Sequence, residues 1–400
     1  MSAISEAVVV GAVRTPVGRR CGALSAWHPV DLLGATLAEL VRRSGVDPSL
    51  IEDVITGCAL QIDTQTGNLG RHAVLAAGLP ESVPAVTIDR QCGSGQQAVS
   101  FAAQAVAAGS HDLVVACGVE SMSRVPMPPA MTPGAALGPQ YSPRELARYS
   151  VSTGRELIAQ GASSELMNTE YGLTREALDQ FSMRSHQRAA AATSAGRFRD
   201  QLVPIHRDPM DDTSPLVDAD EGIRAHLDPA KMASLRTVFA DDGMTTAGNA
   251  SQISDGAAAL LIASRDFAER HGLTPRARFR ALSVAADDPV MQFSAILEST
   301  RKALQHSSLD IFDIDLFEVN EAFAGVPLMF AKEFGVDDER LNVNGGSIAI
   351  GHPLGSTGAR MLTDLLHELE RRGSRIGLQT ICEATGTANT TIIERLDHES

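Results

Sequence analysis

Apolar and polar positions along the chain fall into short buried-type runs separated by longer amphipathic stretches, and the same succession occurs twice. In the first half, Val8-Val9-Val10 reads as a core strand. An amphipathic helical stretch from Leu37 to Arg43 then leads through an acidic turn (Asp47 to Asp53) into a strand ending at Gly57-Cys58. In the second half a helical stretch from Ile296 to Leu304 leads through Leu309-Asp310-Ile311 into a strand over 315–320. Each half next reaches a Gly-rich loop, a helix of small residues and an apolar strand. These are 92–95, 96–108 and 113–117 in the first, and 345–358, 359–371 and 376–382 in the second. Strands alternating with helices predict layered α/β units with mainly parallel pairing. The repetition predicts two similar units packed together.

The stretch from about 121 to 245 interrupts this pattern. Pro126 to Pro143 is rich in Pro, Gly, Met and Ala and reads as a long excursion. A helix is predicted to open at Leu173, with Thr174 as its N-cap and Asp179, Ser182 and Arg184 on its outer face. An excursion of this size shapes a pocket or a subunit contact more often than it forms a separate domain. The run from Ser254 resumes the core pattern.

Composition narrows the picture only slightly. At 400 residues and 44% hydrophobic the chain can bury a large two-part core, and 4% aromatic content suits close helix-on-sheet packing. A net charge of −15 excludes a general nucleic-acid or acidic-membrane surface, while leaving room for a local anion site. The five cysteines (Cys21, Cys58, Cys92, Cys117 and Cys382) are scattered and never spaced as C-x-x-C. Neither a disulfide framework nor a metal site is expected, and free thiols in a reducing, cytoplasmic setting are. No signal-like segment opens the chain and no apolar run is long enough to span a bilayer.

Four segments carry chemistry. In Asp89-Arg-Gln-Cys92-Gly-Ser-Gly95 a cysteine sits on a turn before a helix, where the dipole is expected to lower a thiol pKa. Alone, that loop fits a buried structural cysteine equally well. A loop dense in glycine places His352 between Gly351 and Pro353, suited to act as a base toward a thiol or to donate to an oxyanion. Asn320 and Glu321 enter an apolar run and predict buried hydrogen-bonding roles. Cys382 ends an apolar strand and is either a second acid/base thiol or a core residue.

Together these segments closely resemble the thiolase family, acyl-CoA acyltransferases that cleave or form 3-ketoacyl-CoA. Arg14-Thr-Pro-Val-Gly18, Gly118-Val-Glu-Ser-Met-Ser123 and Thr246 to Gly256 extend the resemblance over the whole chain. It implies a thiolase fold of two similar five-layer α-β-α-β-α halves with an inserted loop domain. The corresponding division is 1–120 with 246–271, then 121–245, then 272–400. It implies Cys92 as acyl-carrying nucleophile, His352 as its base, Cys382 as acid and base, and Asn320 holding an oxyanion water. Backbone N–H groups of Cys92 and Ala384 would form a second oxyanion site. Arg224 and Ser251 map onto the family's coenzyme A contacts. Coenzyme A is implied as co-substrate, with no metal, and the assembly as a homodimer or homotetramer.

The chain departs from the family pattern in two places. Cys382-Glu-Ala-Thr-Gly386 replaces Cys-x-Gly-Gly-Gly. Ala384 keeps its N–H, but its Cβ disfavours positive φ, and a Glu383 carboxylate would raise the pKa of Cys382. Ala159-Gln-Gly161 lacks the His-Met-Gly of short-chain acetoacetyl-CoA thiolases, which points toward a larger acyl group. Gln96-Gln97 after Cys-Gly-Ser-Gly is similar to thiolases of actinobacterial steroid breakdown. Biosynthetic acetoacetyl-CoA condensation, and an acyl-CoA-binding protein with weak turnover, are the competing readings.

Overall fold

Eight consecutive buried residues, AVVVGAVR, form the first strand, β1 (Ala7–Arg14), and their β-branched side chains fill both faces of a sheet. The computed structural model describes residues 5–127 and 141–397. Most of the expected Pro126 to Pro143 excursion, residues 128–140, lies outside the described residues.

A short strand β2 (Gly18–Arg19) follows, then α1 (Pro29–Ser44), β3 (Asp53–Gly57), α2 (Leu69–Ala76), β4 (Ala85–Ile88), α3 (Ser94–Ala107) and β5 (Leu113–Ser121). Helix α1 starts at Pro29, with the His28 ring accepting from Val30 N–H, and stops at Gly45 in the left-handed conformation. The intervening segment holds α4 (Pro143–Thr153), α5 (Gln160–Glu170), α6 (Arg175–Ser194), β6 (Ile205–His206), β7 (Leu216–Val217) and α7 (Pro229–Ala233). The chain then returns with β8 (Ser254–Ser264) and α8 (Arg265–Arg270). It continues through β9 (Ala277–Ala286), α9 (Ala295–Ser307), β10 (Leu316–Val319), α10 (Gly325–Phe334), α11 (Leu354–Arg372), β11 (Ile376–Glu383) and β12 (Thr387–Arg395).

Strand order reports the repetition directly. In one half β4, β3 and β5 are parallel, β8 returns antiparallel beside β5, and β1 lies antiparallel beside β8. In the other, β10 and β11 are parallel, β12 returns antiparallel, and β9 lies antiparallel beside β12. A parallel bridge from Phe317 to Leu341 stands where β4 stands in the first half. The two sets join where Val8 and Val9 pair with Arg278 and Ala277. Helices α3 and α11 pack on each other between the two sets, with α1 and α2 outside one and α9 and α10 outside the other, so the layers run α-β-α-β-α. The central pair approaches closely: a Cβ on Gly358 would lie 2.2 Å from Gln96 N.

Helix α6 opens as expected, Thr174 Oγ1 accepting from Ala177 N–H. Its expected outer face is not outside, however. Asp179 and Ser182 are buried. Asp179 takes Arg175 at 2.8 Å and Asn249 Nδ2 at 2.9 Å, and Ser182 bonds back to Leu178 O at 2.8 Å. The polar side chains satisfy each other inside the contact with the 246–249 loop, which periodicity alone does not reveal.

Arg14, at the end of β1, is fully buried. Its guanidinium holds Asp220 at 2.8 Å and Asp364 Oδ1 at 2.9 Å, and Arg360 takes Asp364 Oδ2 at 2.7 Å. One ionic network therefore ties the first strand, the intervening segment and α11. Removing one member would leave an uncompensated buried charge, which typically costs about 3–5 kcal/mol.

Candidate active site

Cys92 lies on a tight turn between β4 and α3. Asp89 Oδ1 accepts from Gln91 N–H at 2.6 Å, and Ser94 Oγ donates to Gln91 O at 2.6 Å. The strained position is Gln91, with φ of 47°, and not a glycine. The thiol itself is buried. Burial, then the Cys382 sulfur and the Glu383 carboxyl, push its pKa well above the ordinary thiol value. The expected lowering by the helix dipole is overturned, because loss of hydration outweighs the partial charge at the α3 N-terminus. Cys92 is a thiol at rest and needs a base.

His352 lines the same cavity as Cys92. Its backbone N–H donates to Gln252 O at 3.1 Å and to Ser254 Oγ at 3.3 Å, which pins the glycine-flanked loop. Thr357 Oγ1 donates to Pro353 O at 2.8 Å, so it accepts from His352 Nδ1 at 2.8 Å. The proton thus sits on Nδ1, and Nε2 is the unprotonated, accepting nitrogen. Burial, with Arg360 adding, pulls the imidazole pKa down to about 3. A neutral imidazole facing a neutral thiol is the resting arrangement.

Asn320 Nδ2 donates to His352 Nε2 at 3.4 Å. Its Oδ1 accepts from Ser347 Oγ at 2.6 Å, and Ser347 Oγ accepts from Arg360 Nη2 at 3.1 Å. Glu321 has the buried bonding role expected of it. It accepts from Ser185 Oγ, Asn342 Nδ2 and Ile348 N–H at 2.7, 2.9 and 3.0 Å, fixing the loop that precedes His352. Glu120 plays a comparable part on the other wall, taking Ala59 N–H at 2.9 Å and Gly355 N–H at 2.9 Å. Ser347, Thr357 and Glu120 were not singled out from sequence; the available signal was their polar character inside otherwise glycine-rich or apolar runs.

Cys382 ends β11 fully buried, its thiol pushed up to about 12 by burial, with Glu383 adding. Glu383 is also buried, and its own pKa rises to about 8. It is therefore a neutral acid at pH 7, where a carboxylate was expected. Its Oε2 accepts from Thr387 Oγ1 at 2.5 Å, and Oε1 has no hydrogen-bond partner among the described residues. The backbone constraint expected at Ala384 falls one residue later, on Thr385 at φ 64°. Ala384 itself is not among the positive-φ residues. Gln292 Oε1 accepts from Thr385 N–H at 3.2 Å and holds this turn.

A cavity of about 540 Å³ opens onto Cys92, His352, Ser251 and Ala384. Leu60, Met122, Met127, Ile253, Phe323 and Leu354 give it apolar walls. Phe239 also faces it, packed so closely on Gly161 that a Cβ there would lie 2.0 Å from the ring. Arg224 is not in this cavity. It lines a small neighbouring hollow with His186, whose Nδ1 accepts from Arg224 N–H at 3.1 Å, and Ala250 and Gln252 border both spaces. Asn320 and Cys382 lie behind the wall and not on it. Among the described residues no group of three or more His, Cys, Asp or Glu is placed to hold a metal ion.

A doubled α/β fold, with a buried thiol and a proton-accepting imidazole facing one large apolar cavity, has the layout of an acyl-transferring thiol enzyme. Comparison with known proteins narrows the class. The thiolase N-terminal domain matches residues 7–266 and the thiolase C-terminal domain residues 273–395. A steroid 3-ketoacyl-CoA thiolase of Mycobacterium tuberculosis is 47% identical, over 98% of this chain and 95% of that protein. The crystal structure of the Bacillus anthracis acetyl-CoA acetyltransferase superposes with a TM-score of 0.88 at 37% identity, covering 99% of this chain and all of that one. Human mitochondrial 3-ketoacyl-CoA thiolase also superposes with a TM-score of 0.88, at 32% identity and the same coverage. The chain belongs to the thiolase family. It is an acyl-CoA C-acyltransferase, acting on acyl-CoA and coenzyme A.

Proposed function

We propose that the chain cleaves a 3-ketoacyl-CoA bearing a large acyl group through an acyl thioester on Cys92. The observation that carries this reading is the cavity of about 540 Å³, apolar-walled and open to both Cys92 and His352. Acetoacetyl-CoA has almost no acyl tail to place there.

In this reading His352 Nε2 takes the Cys92 proton, and the thiolate attacks the 3-keto carbon. The carbon–carbon bond to the α-carbon breaks, releasing the enolate of acetyl-CoA (or propionyl-CoA from a branched substrate), which takes its proton from the Cys382 thiol. Coenzyme A then enters, the Cys382 thiolate accepts its thiol proton, and the resulting thiolate lifts the acyl group from Cys92. Two oxygens become negative in turn. One is assigned to His352 Nε2–H, protonated after the first step, with a water held by Asn320. The other is assigned to the backbone N–H groups of Cys92 and Ala384, each such donor worth about 10²–10³ in rate. Arg224, beside the small hollow, and Ser251, in the large one, are assigned to coenzyme A.

The same reading divides the chain into 1–120 with 246–271, 121–245, and 272–400. It makes the protein a homodimer or homotetramer. That assembly is supported by β4, which among the described residues pairs only with β3 and leaves Val86 exposed. A cytoplasmic location is supported by five free cysteines. No helix among the described residues is long and apolar enough to cross a membrane.

The test is thiolysis of acetoacetyl-CoA against long-chain and ring-bearing 3-ketoacyl-CoA. Preference for the bulky substrates is expected. A strong preference for acetoacetyl-CoA favours the biosynthetic alternative. Absence of an acyl adduct on Cys92 by intact mass favours a binding protein with weak turnover.

A further inference from the structure

We infer that Ser347 is the positioning residue that decides which end of the Asn320 amide faces the oxyanion site; this rests on the thiolysis reading above. A carboxamide has two ends of nearly equal shape and opposite hydrogen-bonding sense, so something must choose between them. At Asn320 the choice is made by one hydroxyl. Arg360 Nη2 can only donate, and it donates to Ser347 Oγ at 3.1 Å. That occupies a lone pair of the serine, whose own proton then goes to Asn320 Oδ1 at 2.6 Å. The carbonyl end is thereby committed to Ser347, and the two N–H bonds of Nδ2 are turned toward His352 Nε2, 3.4 Å away.

The direction of the relay comes from further back. Arg360 Nη1 is held by Asp364 Oδ2 at 2.7 Å, and Asp364 Oδ1 is held by Arg14 Nε at 2.9 Å. Arg360, Ser347, Asn320 and Asp364 are all buried, so water does not compete for any of these bonds. An inverted Asn320 would point a carbonyl oxygen at the place where the substrate oxygen becomes negative. It would also leave the Ser347 proton without an acceptor. The serine thus prevents a repulsive contact as well as promoting a favourable one.

The experiment is a double-mutant cycle on the full chain, in bulky 3-ketoacyl-CoA thiolysis, with thermal melts of every variant. Ser347→Ala is expected to lower kcat about ten-fold with KM within about two-fold, as for a group acting in the transition state only. Asn320→Ala is expected to lower kcat by about 10². The double variant is expected to match Asn320→Ala alone, because Ser347 acts only through that amide. Ser347→Cys keeps the side-chain volume with a weaker donor and should reproduce most of the kcat loss. Independent, multiplying effects of Ser347→Ala and Asn320→Ala overturn the relay, as does a wild-type kcat in Ser347→Cys. A wild-type chain inert toward every 3-ketoacyl-CoA overturns the relay and the thiolysis reading together, whereas multiplying effects in an active enzyme overturn the relay alone.

Discussion

The carboxyl of Glu383 occupies the space that a side chain on Gly93 would need: a Cβ built there lies 1.9 Å from Glu383 Oε1. The residue after the nucleophile and the residue after the second thiol are therefore fitted to one another. The glutamate is accommodated because its partner has no side chain.

Gly93→Ala is expected to push the 91–94 turn away from β11 and to lower kcat by at least about ten-fold, since small misplacements of reacting groups are costly. Adding Glu383→Ala frees the space and should recover most of the melting temperature. Thermal melts and thiolysis rates of the single and double variants measure the coupling. Additive losses would show that the contact is not what constrains position 93.

Glu383 also makes stability depend on pH in a defined direction. Its pKa is near 4.5 unfolded and about 8 folded. Between those values the folded chain holds a proton that the unfolded chain has lost, so this group's contribution is fully present below about 4.5 and is lost as pH rises through 8. Glu383→Gln removes the titration. Urea denaturation across pH 5 to 9 should give a flatter stability profile for the variant than for wild type; parallel profiles would contradict the assignment.

Thr385 stands at φ 64°, a conformation costing a β-branched residue about 1–2 kcal/mol relative to glycine. Thr385→Gly keeps the N–H that Gln292 binds and is expected to raise stability by about 1 kcal/mol. An unchanged or lower melting temperature would mean that the threonine side chain offsets its own strain.

His352→Ala should leave Cys92 a protonated thiol through neutral pH, because burial disfavours the thiolate. Loss of a general base predicts a fall of about 10²–10⁴ in kcat. Alkylation of Cys92 by iodoacetamide, followed by peptide mass, should slow in parallel. Equal alkylation rates in the two proteins would remove His352 from the role of base.

Much of this fold was legible because its periodicities are local. α3, β10 and β11 begin and end within a few residues of their expected positions, and Thr174 caps α6 through a bond to a residue three along. Cys92, His352, Asn320 and Cys382 were singled out from the short local segments that carry them. What local pattern could not convey was burial of polar groups by distant partners. Asp179 looked solvent-facing until Asn249 covered it, and Ser347 looked like one more small loop residue until Arg360 and Asn320 flanked it. The thiol pKa reversed for the same reason. A helix end is visible in sequence, whereas loss of water around Cys92 is a property of the assembled core. At Ala384 the constraint was anticipated one residue early, since a missing glycine does not say which position of a turn is left-handed.

The Arg14 network has a consequence for the order in which the protein is made. Arg14 leaves the ribosome early, Asp220 in mid-synthesis and Asp364 within the last tenth of the chain. β1 likewise waits for β8, some 250 residues downstream, before its sheet closes. Cys92 is thus translated long before His352 and Cys382 exist, and during that interval it is an ordinary cysteine on an unfinished sheet. In the proposed mechanism reactivity arrives as a late event, once α11 closes the ionic lock and the imidazole takes its place. A prematurely terminated chain holds the thiol and none of the chemistry.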